Sequence, residues 1–209
     1  MTSSIHPLDE ALALTSSAPG QFTGQTHPGY WNMVGPFGGV TAATLLQAVM
    51  QHPDRLGDPL SLTVNYAGAL TAGSYTVQAT PVRTNRSTQH WTLTILQADA
   101  EGAPVVTTTA TAVTAVRRDT WSAGDVPMPA VPGPTAHPAI EHGPEAMEWL
   151  NRYEMRPITG ALPRAWDGSG DHSLTQLWMR DAPARPLDFC ALAALAAVFR
   201  PRVRSRRAH

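Results

Sequence analysis

GPFGGVTAATLLQAVM, residues 35–50, sets two adjacent glycines where a polar, turn-rich segment becomes an apolar helix. After Gly39 the residues Val40, Ala43, Leu45, Leu46, Ala48, Val49 and Met50 leave almost no polar face. Such a helix is buried nearly all round instead of lying on a surface. It should stop at His52-Pro53, because proline cannot continue it. Glycine weakens a helix, so Gly38 and Gly39 need a reason to stand at its mouth. Either they make a tight entry into the helix, or they keep its N-terminal backbone clear for a ligand.

Downstream the texture changes to strands. Residues 60–70 (LSLTVNYAGAL), 73–84 (GSYTVQATPVRT), 88–104 (TQHWTLTILQADAEGAP) and 105–116 (VVTTTATAVTAV) are rich in Thr, Val, Ile, Tyr and Trp. Their two-residue alternation between turns predicts a meander of four antiparallel strands. Upstream, GQFTGQTHPGYWNMV (20–34) predicts a hairpin around a His-Pro-Gly turn, and SIHPLDEALAL (4–14) reads as a short capped helix. A sheet with one apolar face wrapped around a single apolar helix satisfies both patterns, since each buries the other.

Residues 119–144 carry six prolines and little apolar periodicity, so they read as an extended linker. Beyond it, AMEWLNRYEMRPITG (146–160) and HSLTQLWMR (172–180) predict strands joined across the turn WDGSGD, followed by an Ala-rich helix in RPLDFCALAALAAVFR (185–200). Hairpin then buried helix thus occurs twice, which predicts a duplicated fold. We expect a first unit over 1–118, a linker over 119–144 and a partial second unit over 145–209. That second unit stops nine residues after its helix, in a basic tail with no strand pattern, as a truncated or frameshifted frame would.

Composition narrows the function. A net charge of -1 gives no electrostatic reason to expect nucleic acid or an anionic membrane as partner. All fifteen basic residues are Arg, which excludes a P-loop lysine, a pyridoxal-phosphate Schiff base and a Ser-Lys dyad. Five of them, Arg200, Arg202, Arg204, Arg206 and Arg207, crowd the end; such a tail is solvated or touches phosphates. Cys190 is the single cysteine, too few for a disulfide or a Cys-based zinc site. It reads as a small core residue. No stretch reaches the roughly 18 apolar residues of a membrane span, and the start lacks a basic and apolar leader. A soluble cytoplasmic protein is expected.

His27, His90 and His172 show no metal-ligand spacing, and DGSGD lacks the strand-to-helix setting of a nucleophile elbow. No metal or cofactor is expected. Ser87, Thr88 and Gln89 open a strand, where they either position a water or supply turn polarity; Asn65 on TVNY admits the same two readings. Asp188, before the last helix, suits a cap.

Four stretches, GPFGGVTAATLLQAV, LSLTVNYAGALTAG, PVRTNRSTQHWTLTILQ and RPLDFCALAALAAVFRPRV, resemble the acyl-CoA thioesterase II-like (TesB-like) branch of the hotdog superfamily, with RTNRSTQHW, TATAV and RRDTW the most specific. The resemblance implies an α+β double hotdog, an antiparallel sheet around a central apolar helix, duplicated, with the second hotdog incomplete. It implies hydrolysis of acyl-CoA without cofactor: a carboxylate and polar helpers activate a water, and N–H groups at the helix start receive the oxyanion. On that reading Gly38, Gly39, Ser87, Thr88 and Gln89 are catalytic, and Phe37, Asn65 and Tyr66 bind substrate. A helix N-terminus suits this physically, because its unpaired donors and partial positive charge face an anionic intermediate.

One position departs from the family. Its catalytic Asp aligns with Ala197, and a methyl group accepts no proton. The strands that would follow the second helix are missing too, leaving an apolar face: either two chains associate over it, or the helix packs on the first unit's sheet, or a truncated member folds poorly, and of these a homo-oligomer is expected. The rival reading is an acyl-thioester binding or assembly protein without the base; a hotdog dehydratase would need a His and an acid converging on one pocket.

Overall fold

A computed structural model describes residues 5–160 and 174–198. The expected turn WDGSGD, His172, Phe199 and the Arg-rich tail lie outside the described residues. Helix α1 (Pro7–Ala11) is capped by His6, whose Nδ1 accepts from the Leu8 N–H. Strands β1 (Thr15–Ala18) and β2 (Gln21–Gln25) lead to α2 (Gly38–Gln51), then β3 (Asp58–Tyr66), β4 (Ser74–Thr84), β5 (Thr88–Ala98) and β6 (Pro104–Ala115). They form one antiparallel sheet in the order β1-β2-β4-β5-β6-β3.

Two expectations need correction. The hairpin turns at Pro19-Gly20, not at His-Pro-Gly: Gly20 has φ +68°, and a side chain there would meet the Ala79 carbonyl. His27 instead caps a 3-10 turn over Pro28–Tyr30, its Nδ1 accepting from the Gly29 N–H. The four strands are also not a simple meander. Only β4, β5 and β6 follow one another; β3 pairs with β6 at the far edge, from Asp58↔Ala115 to Tyr66↔Thr108. Alternation reports which face a residue takes and is silent about its neighbour strand. Helix α2 lies between β2 and β3 in sequence and packs across the sheet, so the chain leaving it reaches the other edge, and residues 67–73 carry it back with Leu70 buried.

Helix α2 is covered on both sides, as its sequence requires. Leu45, Ala48 and Val49 pack on Phe22, Val77, Trp91, Leu93 and Ile95 of the sheet. Burying each of these larger aliphatic chains contributes about 1.5–3 kcal/mol. Val40, Ala43 and Leu46 face the opposite way, toward Trp149, Tyr153 and the second helix.

The second unit opens with a 3-10 turn (Glu148–Arg152) where a longer strand is expected, then β7 (Tyr153–Thr159) and β8 (Gln176–Asp181), paired antiparallel, and α3 (Phe189–Ala196). Ala194 meets α2 near Gly39 and Cys190 meets it at Gln47, so the helices run antiparallel. The Pro-rich segment is not free of the second unit: the Ile140 N–H donates to Met155 O at 2.8 Å, and the Trp178 indole N–H to Pro132 O at 2.9 Å. No helix among the described residues is long and apolar enough to cross a membrane.

Candidate functional site

Helix α2 begins without a side-chain cap, because its N-cap is Phe37. The first N–H groups to find acceptors are those of Val40 and Thr41, both bonded to Phe37 O; those of Gly38 and Gly39 meet no acceptor among the described residues. Unpaired donors and the helix dipole therefore coincide at Gly38.

Gly38 lines a cleft of about 250 Å³, together with Asn32, Thr41, Tyr66, Leu70 and Thr108. The Tyr66 hydroxyl donates to Gly38 O at 2.6 Å, tying β3 to the helix start. Asn32 Oδ1 is buried and meets no hydrogen-bond partner among the described residues. Thr41 is buried, its hydroxyl reaching back to Phe37 O at 3.5 Å. Among the described residues, none that lines the cleft carries a charge.

The two glycines do different jobs. A methyl group on Gly38 would face the Tyr66 hydroxyl across 3.1 Å, at the cleft. One on Gly39 would strike the Phe37 ring and come within 2.5 Å of the Ala194 carbonyl of α3. Gly39 is thus where the helices approach each other, and it lies outside the cleft lining.

The structure does not bring the other expected residues here. Phe37 is buried, its ring stacked on Trp149 with centroids 4.1 Å apart. Asn65 is exposed and alternates with Tyr66, so it takes the opposite face of β3. Ser87 lies in the β4–β5 turn and Thr88 opens β5: Ser87 O accepts from the Val116 N–H, and the Asn85 amide donates to Thr88 Oγ1. Gln89 is fully buried beyond the C-terminal end of α2. It accepts from the Leu56 N–H and donates to Asp54 O and Thr84 Oγ1, all within 3.0 Å. A 14-residue helix is about 21 Å long, so Gln89 and Gly38 lie at opposite ends.

Sequence reading passed over Asn32 and Thr41. Asn32 sits in a turn, where asparagine is ordinary. Thr41 left a signal: with Thr44 it is a hydroxyl on an otherwise apolar helix, and its spacing puts both on one face.

Other titratable groups are committed elsewhere. His27 engages both ring nitrogens, Nδ1 with the Gly29 N–H and Nε2 with Glu10 at 3.4 Å. His90 is exposed on the outer face of β5. Burial pushes the Cys190 thiol up to about 12, so it stays a thiol, donating to Gln47 Oε1. Asp188 caps α3 through the Ala191 N–H; burial opposes its charge, but that N–H and Arg185 outweigh it and hold the carboxyl below the usual range. Among the described residues no three His, Cys, Asp or Glu side chains gather to hold a metal. Ala197 is exposed at the C-terminal end of α3, one turn beyond Ala194 and beside the start of α2.

Residues 27–115 match the acyl-CoA thioesterase N-terminal domain. No curated protein matches the chain. Among solved structures, a conserved protein of unknown function with a hot dog fold from Alicyclobacillus acidocaldarius is 48% identical, with TM-score 0.83, over 96% of this chain and 72% of that one. The acyl-CoA thioesterase II TesB2 of Mycobacterium marinum is 21% identical with TM-score 0.67, over 91% of this chain and 68% of its own. A TesB protein of Mycobacterium avium subspecies paratuberculosis is 20% identical with TM-score 0.62, over 93% of this chain and 68% of that one. The last two likenesses are of fold.

Proposed function

This chain belongs to the acyl-CoA thioesterase-like family of hotdog proteins, and we propose that it binds an acyl-CoA at the start of α2 and hydrolyses the thioester. The observation that carries this reading is the uncapped helix N-terminus whose Gly38 lines the cleft. A thioester oxygen set against Gly38 gains an N–H donor and the helix dipole as negative charge develops on it. A water in the cleft attacks the carbonyl carbon. The C–S bond then breaks, the water gives its oxygen and one hydrogen to the acid, and its other hydrogen goes to the departing thiolate.

A second reading is favoured by one observation: among the described residues no carboxylate lines the cleft. On that reading the chain holds acyl thioesters without turning them over. Thiol release from acyl-CoAs by the 209-residue chain separates the two. Hydrolysis predicts turnover that Gly38→Val abolishes by filling the cleft. Binding alone predicts none, with Ala197→Asp creating it, since a placed general base contributes about 10²–10⁴-fold. We also propose a homo-oligomer, supported by Leu187 and Leu192, which α3 and its approach leave exposed.

A further inference from the structure

Two peptide planes open α2, and their N–H groups, those of Gly38 and Gly39, meet no acceptor among the described residues. A peptide unit is planar, so whatever holds its carbonyl also aims the N–H on its far side. The first plane, Phe37–Gly38, is held by the helix itself: Phe37 O accepts from the Val40 N–H at 3.0 Å, the Thr41 N–H at 3.3 Å and the Thr41 hydroxyl at 3.5 Å. The second, Gly38–Gly39, is gripped from another element. Gly38 O accepts from the Tyr66 hydroxyl on β3 at 2.6 Å. Among the described residues this is the one side-chain hydrogen bond that reaches residues 37–39 from outside α2.

What the bond holds is backbone with little to hold it otherwise. Two glycines in succession leave the chain its widest choice of conformations, and the N-cap Phe37 supplies no side-chain hydrogen bond. A donor that wanders stabilises developing charge less than one fixed in advance. Tyr66, by contrast, stands on the sheet: it pairs with Thr108 of β6, and the Ala67 and Gly68 N–H groups that follow both donate to Thr107 O, at 3.0 and 2.8 Å.

The gripped plane belongs to the cleft. Gly39 packs on α3, but the carbonyl half of the plane is Gly38, which lines the cleft beside Tyr66. Helix N–H groups point toward the N-terminal end, where Asn32, Gly35 and Pro36, all ahead of α2, line the same space. The Tyr66 ring lies against Gly38 as well: a methyl group on Gly38 would meet its hydroxyl oxygen at 3.1 Å and ring carbons at 3.2 and 3.4 Å. Resting on the acyl-thioester reading above, we infer that Tyr66 is a positioning residue, whose hydroxyl fixes the Gly38–Gly39 peptide and so presets the donors at the start of α2 for a thioester oxygen.

Tyr66→Phe keeps the ring and removes the hydroxyl; because Tyr66 is exposed, the variant should fold with an unchanged urea midpoint. The test measures thiol release from acetyl-, octanoyl- and palmitoyl-CoA by the full chain, wild type and variant. It also measures Kd for the acyl-CoA taken best and for its thioether, S-ethyl-, S-octyl- or S-hexadecyl-CoA, which carries a methylene in place of the carbonyl. Where the wild type turns over acyl-CoA, the variant should lose about tenfold or more in kcat with KM within about twofold, since removing an oxyanion donor outright costs about 10²–10³-fold. Where it binds without turnover, the variant should weaken the acyl-CoA about two- to tenfold, the scale of one neutral hydrogen bond, and leave the thioether unchanged. A general loosening of the cleft would weaken both ligands alike. Unchanged kcat and acyl-CoA affinity in the variant, or a thioether weakened as much as the acyl-CoA, would overturn the inference while leaving the thioester reading standing. A folded wild-type chain that neither binds nor hydrolyses any of the three acyl-CoAs overturns both.

Discussion

Two neighbouring glycines make the residue-scale case that identity and role are separate matters. Gly38 faces a hydroxyl that can yield slightly, whereas Gly39 faces a backbone carbonyl of α3 that cannot. Gly38→Ala should keep wild-type stability within about 0.5 kcal/mol, as alanine suits a helix at least as well, and lose acyl-thioester affinity or turnover. Gly39→Ala should cost about 1–3 kcal/mol, the usual penalty of overpacking. Urea denaturation of the two variants decides it; equal losses would mean that both glycines serve packing. Gln89 offers the converse. Truncation to alanine strands the Leu56 N–H and the Asp54 carbonyl, at about 1–3 kcal/mol for each buried group. Its expected signature is a lower urea midpoint with unchanged kcat/KM in the folded fraction, since it stands a helix length from Gly38.

At the scale of elements, α3 is eight residues long, too short to hold itself without packing and a cap. Asp188 supplies the cap and also anchors Arg185 at 2.9 Å. Asp188→Ala should cost about 0.5–2 kcal/mol at neutral pH. The folded protein holds this carboxyl below its ordinary range, so its contribution is present above that range and lost as pH falls through the lowered value. The penalty of the variant should shrink in acid, and urea melts at pH 7 and pH 3 would show whether it does. The same scale explains what the sequence could and could not disclose. The apolar run after Gly39 has one packing solution, so α2 and its His52 end are legible from residues alone. Strand identity was equally plain in the alternation of Tyr75, Val77 and Ala79. The place of β3 was not, because pairing with β6 depends on where α2 delivers the chain. Nor was the split of the candidate site: Gly38 and Gln89 are both polar interruptions of apolar runs, and only the three-dimensional path of α2 parts them.

At the scale of the whole molecule, the seam between the units is held by polar as well as apolar contacts. His6 Nε2 lies 2.8 Å from Pro183 O, Arg185 pairs with Asp9, and the Arg152 Nε–H donates to Gly29 O. Inside the seam Tyr153 and Asp181 face each other across β7 and β8, Tyr30 stands edge-on to Tyr153, and the two hydroxyls and Asp181 Oδ1 have no hydrogen-bond partner among the described residues. Burial raises the Asp181 carboxyl above the ordinary 3.8, Arg185 and His6 pull it down, and Asp188 and Asp9 push it up. A carboxyl with a raised folded value favours the fold only while protonated, so its contribution is full below 3.8 and lost as pH rises through the raised value. At neutral pH a buried, incompletely paired charge then works against the seam. Asp181→Asn keeps the shape of the protonated acid and removes the charge. The variant should melt at a higher temperature than wild type at pH 8, with the gain fading as pH approaches 3.8. Thermal melts of both proteins across that range provide the check. A variant less stable at pH 8 would mean that the ionised carboxylate holds Arg185 and the two tyrosines together, and that the seam depends on its charge.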